Sequence, residues 1–153
     1  MRTVTGILLI LALTSPAIAD PHHRQTVRPD GSLIDYTLDQ PANAEGLLVL
    51  AQGSGCTPGA QSQGLATFRA AFPSYAALIV EKVGISPDMT IDETACPADF
   101  VERYTLSQRI EDYQLVLAAL EPIAGKLVLM GGSEGGMAVS ILASQLDPDR
   151  TII

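Results

Sequence analysis

The sequence predicts an α/β domain: a mostly parallel sheet flanked by helices on both faces and entered through an N-terminal β-hairpin. Three observations carry that expectation. Residues 46–51 (GLLVLA), 75–83 (YAALIVEKV) and 126–130 (KLVLM) are short, largely apolar runs. Parallel strands covered by helices lose the polar alternation of half-exposed strands, so such runs read as strands buried on both faces. Stretches with helical periodicity or helix stops lie between them. Strand and helix therefore alternate, which is the pattern of βα units rather than of a sandwich or a bundle.

The elements run in this order. Residues 20–24 (DPHHR) read as a mobile arm. Residues 25–28, the Pro29-Asp30-Gly31 turn and residues 32–38, with Leu33, Asp35 and Leu38 alternating, form the hairpin. Residues 40–43 (QPAN) are a loop, and the first buried strand then runs into glycine-rich residues 52–59 (QGSGCTPG). Residues 64–72 make a short helix closed by Pro73. The second buried strand leads into residues 84–99, a long loop of the kind that is usually functional or mobile. Thr105 with Gln108 three residues on has capping-box spacing. Leu106, Ile110, Tyr113, Leu117 and Leu120 then recur at helical spacing until Pro122 and Gly125 stop the helix. After the third buried strand, residues 131–136 (GGSEGG) turn sharply and residues 137–146 form a helix. Asp147-Pro148-Asp149 is a turn, and Thr151-Ile152-Ile153 opens a further buried strand.

Composition narrows the function. The chain has 153 residues, one domain's worth. Seventeen acids against nine Lys and Arg give a net charge of −8, which disfavours nucleic acid and a polybasic membrane anchor. Abundant apolar residues argue against disorder. Residues 1–19 read as a secretory signal peptide: Arg2 is the basic region, residues 6–13 (GILLILAL) the apolar stretch, and Ala17-Ile18-Ala19 the small-x-small cleavage site. The apolar run falls well short of the roughly 20 residues that a spanning helix needs. An uncleaved anchor is the alternative. Asp20, not Cys, follows the cleavage site, so lipidation there is excluded. Cleavage leaves residues 20–153 as a secreted or periplasmic domain, without membrane attachment. Because the chain stops on a strand opening, the expectation is a partial domain whose C-terminal part is missing.

Gly131-Gly132-Ser133-Glu134-Gly135 matches G-x-S-x-G between an apolar strand and a helix, the context that gives this motif meaning. The chain must reverse within a few residues while holding the Ser133 hydroxyl exposed, and Gly131 and Gly135 avoid collisions that a Cβ would cause. The backbone N–H of Glu134, at the helix start, is placed to stabilise a developing oxyanion. The alternative is a turn serine capping the next helix. Phosphate cradles fit poorly. A P-loop needs Lys and Ser/Thr after its last glycine, where Met137 and Ala138 follow Gly136; a dinucleotide fingerprint needs Gly where Ser133 and Pro58 stand.

From about Leu47 to Ile153 the sequence resembles the first half of an α/β-hydrolase, in motif order and element order. The resemblance implies a truncated α/β-hydrolase fold and an exported serine hydrolase acting on an ester or related acyl bond, with Ser133 as nucleophile. In that family the loop after an early strand supplies a second oxyanion donor. Gln52-Gly53-Ser54 fills that slot, which makes the backbone N–H of Ser54 the donor, while Gln52 departs from the histidine often found ahead of it.

A serine nucleophile needs a base and an acid to orient it. The family order is Ser, then Asp or Glu, then His, and no His follows Ser133. His22 and His23 are the only histidines, and read as exposed tail residues. Copper capture by the new N-terminus fails because Pro21 has no N–H to offer. Glu134 reads as a surface or pocket-rim acid rather than a base. Behind a signal peptide, Cys56 and Cys96 read as a disulfide rather than a metal pair or a nucleophilic Cys56. Asp88, Asp92, Glu93, Asp99 and Glu102 lack calcium-loop spacing and read as a solvated lid or rim. The expected partner is a small acyl substrate, with no cofactor and no metal. A non-catalytic ligand-binding or degenerate hydrolase-like domain is the alternative reading.

Overall fold

The computed structural model describes residues 22–92 and 94–153. The expected signal peptide therefore lies outside the described residues. β1 (His22–Val27) and β2 (Leu33–Asp39) form the hairpin, turned by Pro29-Asp30-Gly31 with Gly31 at φ 85°. β3 (Gly46–Ala51), α1 (Gln63–Ala70) and β4 (Ala76–Val80) come next. Then come the short α2 (Ala98–Arg103), α3 (Leu106–Ala119), β5 (Lys126–Gly131), α4 (Glu134–Leu146) and β6 (Arg150–Ile152).

The six strands form one sheet in the order β1-β2-β4-β3-β5-β6. β1 and β2 run antiparallel to their neighbours, whereas β4, β3, β5 and β6 are mutually parallel. Helices cover both faces, as the continuous apolar runs require. On one face Val49, Ala51, Leu78 and Leu129 pack with Tyr113 and Val116 of α3 and with Ala138, Val139 and Leu142 of α4. On the other, Leu48, Leu50, Ala77 and Val128 pack with Leu65 of α1. The fold is a mostly parallel α/β sheet with an N-terminal hairpin, as expected from the sequence.

Local chemistry explains the element ends. The Thr105 hydroxyl accepts the Gln108 N–H at 3.0 Å and starts α3, and the Ser62 hydroxyl does the same for Leu65 in α1. Arg28, at the end of β1, forms a bidentate ion pair with Asp112 of α3 (2.7 and 2.9 Å), almost fully buried, which fixes the hairpin on the helix layer.

Two expectations are corrected. Residues 22–24 are not a mobile arm but extend β1. They pair in register with β2 (His22↔Leu38, His23↔Thr37, Arg24↔Tyr36), a backbone pairing that needs no apolar side chain of their own. The long loop is also interrupted at its end by α2, which carries no buried residue and so leaves no periodic apolar signature.

Candidate active site

Three parallel strands end side by side, and the segments that leave them meet at one sheet edge. Ala51 of β3 is in register with Gly131 of β5, and Leu50 with Ile79 of β4. Residues 52–59, the Glu81-Lys82 pair and the Gly132-Ser133 turn therefore all emerge at the carboxyl ends of β3, β4 and β5. In open α/β sheets that edge is where ligands bind.

Ser133 stands between β5 and α4 at φ 56°, ψ −126°. A side chain adopts this backbone region only under strain, at a cost of order 1–3 kcal/mol. It occupies the N-cap position of α4, yet its hydroxyl makes no capping hydrogen bond, and the residue is exposed. The helix thus starts without the help that a capping serine gives. Packing around the turn is tight. A Cβ on Gly135 would lie 2.1 Å from the Ala51 carbonyl oxygen, and one on Gly131 would lie 2.5 Å from that of Gly135. Both positions admit only glycine, which lets α4 start directly against the end of β3. Gly53 of the facing loop lies close by, its Cβ position 3.7 Å from the Ser133 Cβ.

The loop after β3 is gripped from below by side chains of opposite charge. The Lys82 ammonium donates to the carbonyl oxygens of Gly53 and Gly55, each at 2.6 Å, and Arg109 donates to that of Gln52 at 2.6 Å. The adjacent Glu81 carboxylate accepts the N–H groups of Gly59 (2.6 Å) and Ala60 (2.8 Å). Burial pushes the Glu81 pKa up, opposed by those two hydrogen bonds. Burial pulls the Lys82 pKa down to about 8, with nearby Arg109 acting in the same direction and Glu134 and Glu81 against it. Gln52 closes its own turn by donating to the Thr57 carbonyl at 2.8 Å.

Glu134, expected from the sequence to be a surface or pocket-rim acid, is partly buried and engaged by neighbouring side chains. Its carboxylate accepts from Arg109 (2.9 Å) and from the Tyr104 hydroxyl, with the Lys82 ammonium 4.0 Å away. Burial first, then the hydrogen bond to Glu134, raises the Tyr104 pKa. This engagement leaves Glu134 to the site through its backbone. Phe100 and Tyr104 stack with ring centroids 4.7 Å apart, and the Lys82 ammonium lies 5.9 and 5.1 Å from those centroids, within cation–π range.

Sequence reasoning missed Lys82, Tyr104 and Arg109. Their one trace was a mismatch: Lys82 inside an apolar strand run, and Arg109 next to Ile110 on the face of α3 that has to be buried. Such charges inside a core imply partners, but not which ones.

Cys56 and Cys96 form a disulfide, which ties the loop after β3 to the segment leading into α2 and leaves no thiol for nucleophilic chemistry at Cys56. Asp92 accepts the N–H and hydroxyl of Thr94 in a local turn (2.9 and 2.7 Å), and among the described residues no group of three or more His, Cys, Asp or Glu is arranged to hold a metal. Both histidines sit on β1, four strand positions from β5, roughly 19 Å at the usual strand spacing. His23 pairs instead with Asp35 at 2.5 Å. No described helix is long and apolar enough to cross a membrane.

No protein-family model and no curated protein matches the sequence. Solved structures do match its fold. A hydrolase from Pseudomonas aeruginosa is 24% identical with a TM-score of 0.57, the match covering 84% of this chain and 43% of that one. An α/β hydrolase from Novosphingobium aromaticivorans is 18% identical at TM-score 0.60 (89% and 45% covered). An α/β serine hydrolase without a lid, from Xanthomonas campestris, is 16% identical at TM-score 0.59 (87% and 60% covered). This chain has the α/β-hydrolase fold, and it spans about half the length of the structures it matches.

Proposed function

We propose that this chain carries the nucleophile and oxyanion hole of an exported serine hydrolase acting on an ester or related acyl bond of a small molecule. The observation that carries the reading is Ser133: strained, uncapped and exposed at the reversal from β5 to α4, with the Gly53 loop beside it. Strain of this kind persists only where the surroundings enforce it, and it concentrates at sites that use it.

In this reading the Ser133 hydroxyl attacks the acyl carbon. The carbonyl oxygen becomes an oxyanion held by two backbone donors, the N–H of Glu134 at the start of α4 and the N–H of Ser54. The first N–H groups of a helix have no partner within it, and the helix dipole favours negative charge there. The Ser54 N–H makes no hydrogen bond among the described residues, so it too is available. A histidine takes the serine proton and returns it to the leaving group, and an acid orients that histidine. His22 and His23 are too far away on β1 for this task, so we place both missing groups on sequence beyond Ile153. Export by residues 1–19 belongs to the same proposal, and the Cys56–Cys96 disulfide supports an oxidising compartment.

The test is hydrolysis of short p-nitrophenyl esters by the complete reading frame, together with labelling by a fluorophosphonate probe. Ser133→Ala is expected to abolish both. Undiminished labelling of that variant would remove Ser133 from the chemistry. A second reading, a ligand-binding domain that has lost catalysis, is favoured by the distance of both histidines from Ser133. It predicts no turnover by the complete protein.

A further inference from the structure

The Lys82 side chain is almost completely buried, yet its ammonium is held by loop carbonyls and not by a close carboxylate partner. Its ammonium is spent on the Gly53 and Gly55 carbonyls, with the Phe100–Tyr104 stack beside it and Glu134 at the limit of ion-pair distance.

A peptide unit is planar and trans, so its C=O and N–H point in opposite directions. The Gly53 carbonyl and the Ser54 N–H belong to one such unit. Holding the carbonyl on the buried ammonium turns that N–H away from Lys82, and both Ser54 and Ser133 are exposed. Arg109 does the same for the preceding unit, through the Gln52 carbonyl. Without these donors, three carbonyls of a glycine-rich loop would be free to seek water. The peptide planes would then rotate, because glycine resists so little.

We infer that Lys82 is a positioning residue for catalysis: by holding the Gly53 and Gly55 carbonyls it fixes the direction of the Ser54 N–H and so preorganises the oxyanion hole. The inference rests on the proposed role of Ser133 and Ser54, and deepens it. Stability alone gives a poor reason for the lysine. The fold lowers the Lys82 pKa, which means that its charged form is less favourable here than in water. A buried ion is often replaceable by an apolar side chain of similar size at little cost. Preorganised donors, by contrast, act on the transition state far more than on the bound substrate.

The experiment uses the complete protein, with wild type, Ser133→Ala, Lys82→Met and Lys82→Arg compared on one short acyl ester. Lys82→Met keeps the stem and removes the donors. Its kcat should fall about 10²-fold, the scale of losing one oxyanion donor, with KM within about threefold of wild type. Its thermal midpoint should stay within about 4 °C, the shift expected of a change below about 1 kcal/mol. Lys82→Arg, which restores charge and donors, should regain at least about tenfold in kcat. If Lys82→Met does not fold, Lys82→Gln is held to the same thresholds. A kcat within about threefold of wild type, in a protein that Ser133→Ala inactivates, overturns the role of Lys82 and leaves the nucleophile standing. No gain by Lys82→Arg over Lys82→Met overturns it as well. Turnover surviving in Ser133→Ala removes the site on which both readings stand.

Discussion

At the scale of single residues, Ser133 and Lys82 are both held where the fold disfavours them, and each makes a measurable prediction. Ser133 has a backbone that glycine adopts freely and alanine does not. Ser133→Gly should therefore unfold at higher denaturant than Ser133→Ala, by about 1 kcal/mol, because only the glycine relieves the strain. Equal midpoints in urea titrations would mean that the turn is not strained. For Lys82 the sign comes from its pKa, about 8 when folded against 10.5 for the unperturbed group. Between those values the unfolded chain binds more protons than the folded one, so the contribution of this residue to stability rises with pH. The penalty of burying the charge is fully present below about pH 8 and is relieved on the way to 10.5. The difference in stability between wild type and Lys82→Met should thus move in favour of wild type across that window. The other ionisable groups near the ammonium, namely Arg109, Glu134, Glu81 and Tyr104, remain in both proteins. A difference independent of pH would show that Lys82 is as well solvated as a surface lysine.

At the scale of elements, the end of β4 controls the loop after β3. Glu81 and Lys82 are consecutive, and one holds the loop's N–H groups while the other holds its carbonyls. The Cys56–Cys96 disulfide adds a covalent hold from the side of α2, closing a loop with a sequence separation of 40. In the chain-entropy description such a closure stabilises by about 4 kcal/mol. The double variant Cys56→Ala/Cys96→Ala should lose stability on that scale. Cys56 is fully buried, so one of the two positions also lacks water to fill the space left behind. Guanidinium unfolding of the oxidised wild type and of the variant measures it, and a loss under about 1 kcal/mol would mean that the residues around the bridge already constrain the loop without it.

At the scale of the whole molecule, the features that could be read from the sequence are those that depend on near neighbours in the chain. β3 is legible to the residue, because GLLVLA is bounded by Glu45 and Gln52, and the start of α3 is legible because Thr105 announces it. The serine turn is legible because glycines at fixed offsets are the only residues its packing admits. The cluster of Lys82, Tyr104, Arg109 and Glu134 is not. Its members come from β4's end, the end of α2, α3 and α4, and no spacing in the chain foretells that the sheet order will bring them together. The same limit governs a base for the proposed nucleophile, whose place would be decided by tertiary structure. Strand order sets both histidines across the sheet from Ser133, where neither can take its proton. On the proposed reading, the 153-residue chain by itself should therefore hydrolyse p-nitrophenyl esters no faster than the buffer and should not react with a fluorophosphonate. On the same reading, a longer chain that supplies a histidine and an orienting acid should show both reactions. Labelling of the short chain that disappears in Ser133→Ala would mean that a base for Ser133 already lies within these residues, and the proposed division of the catalytic machinery would fall.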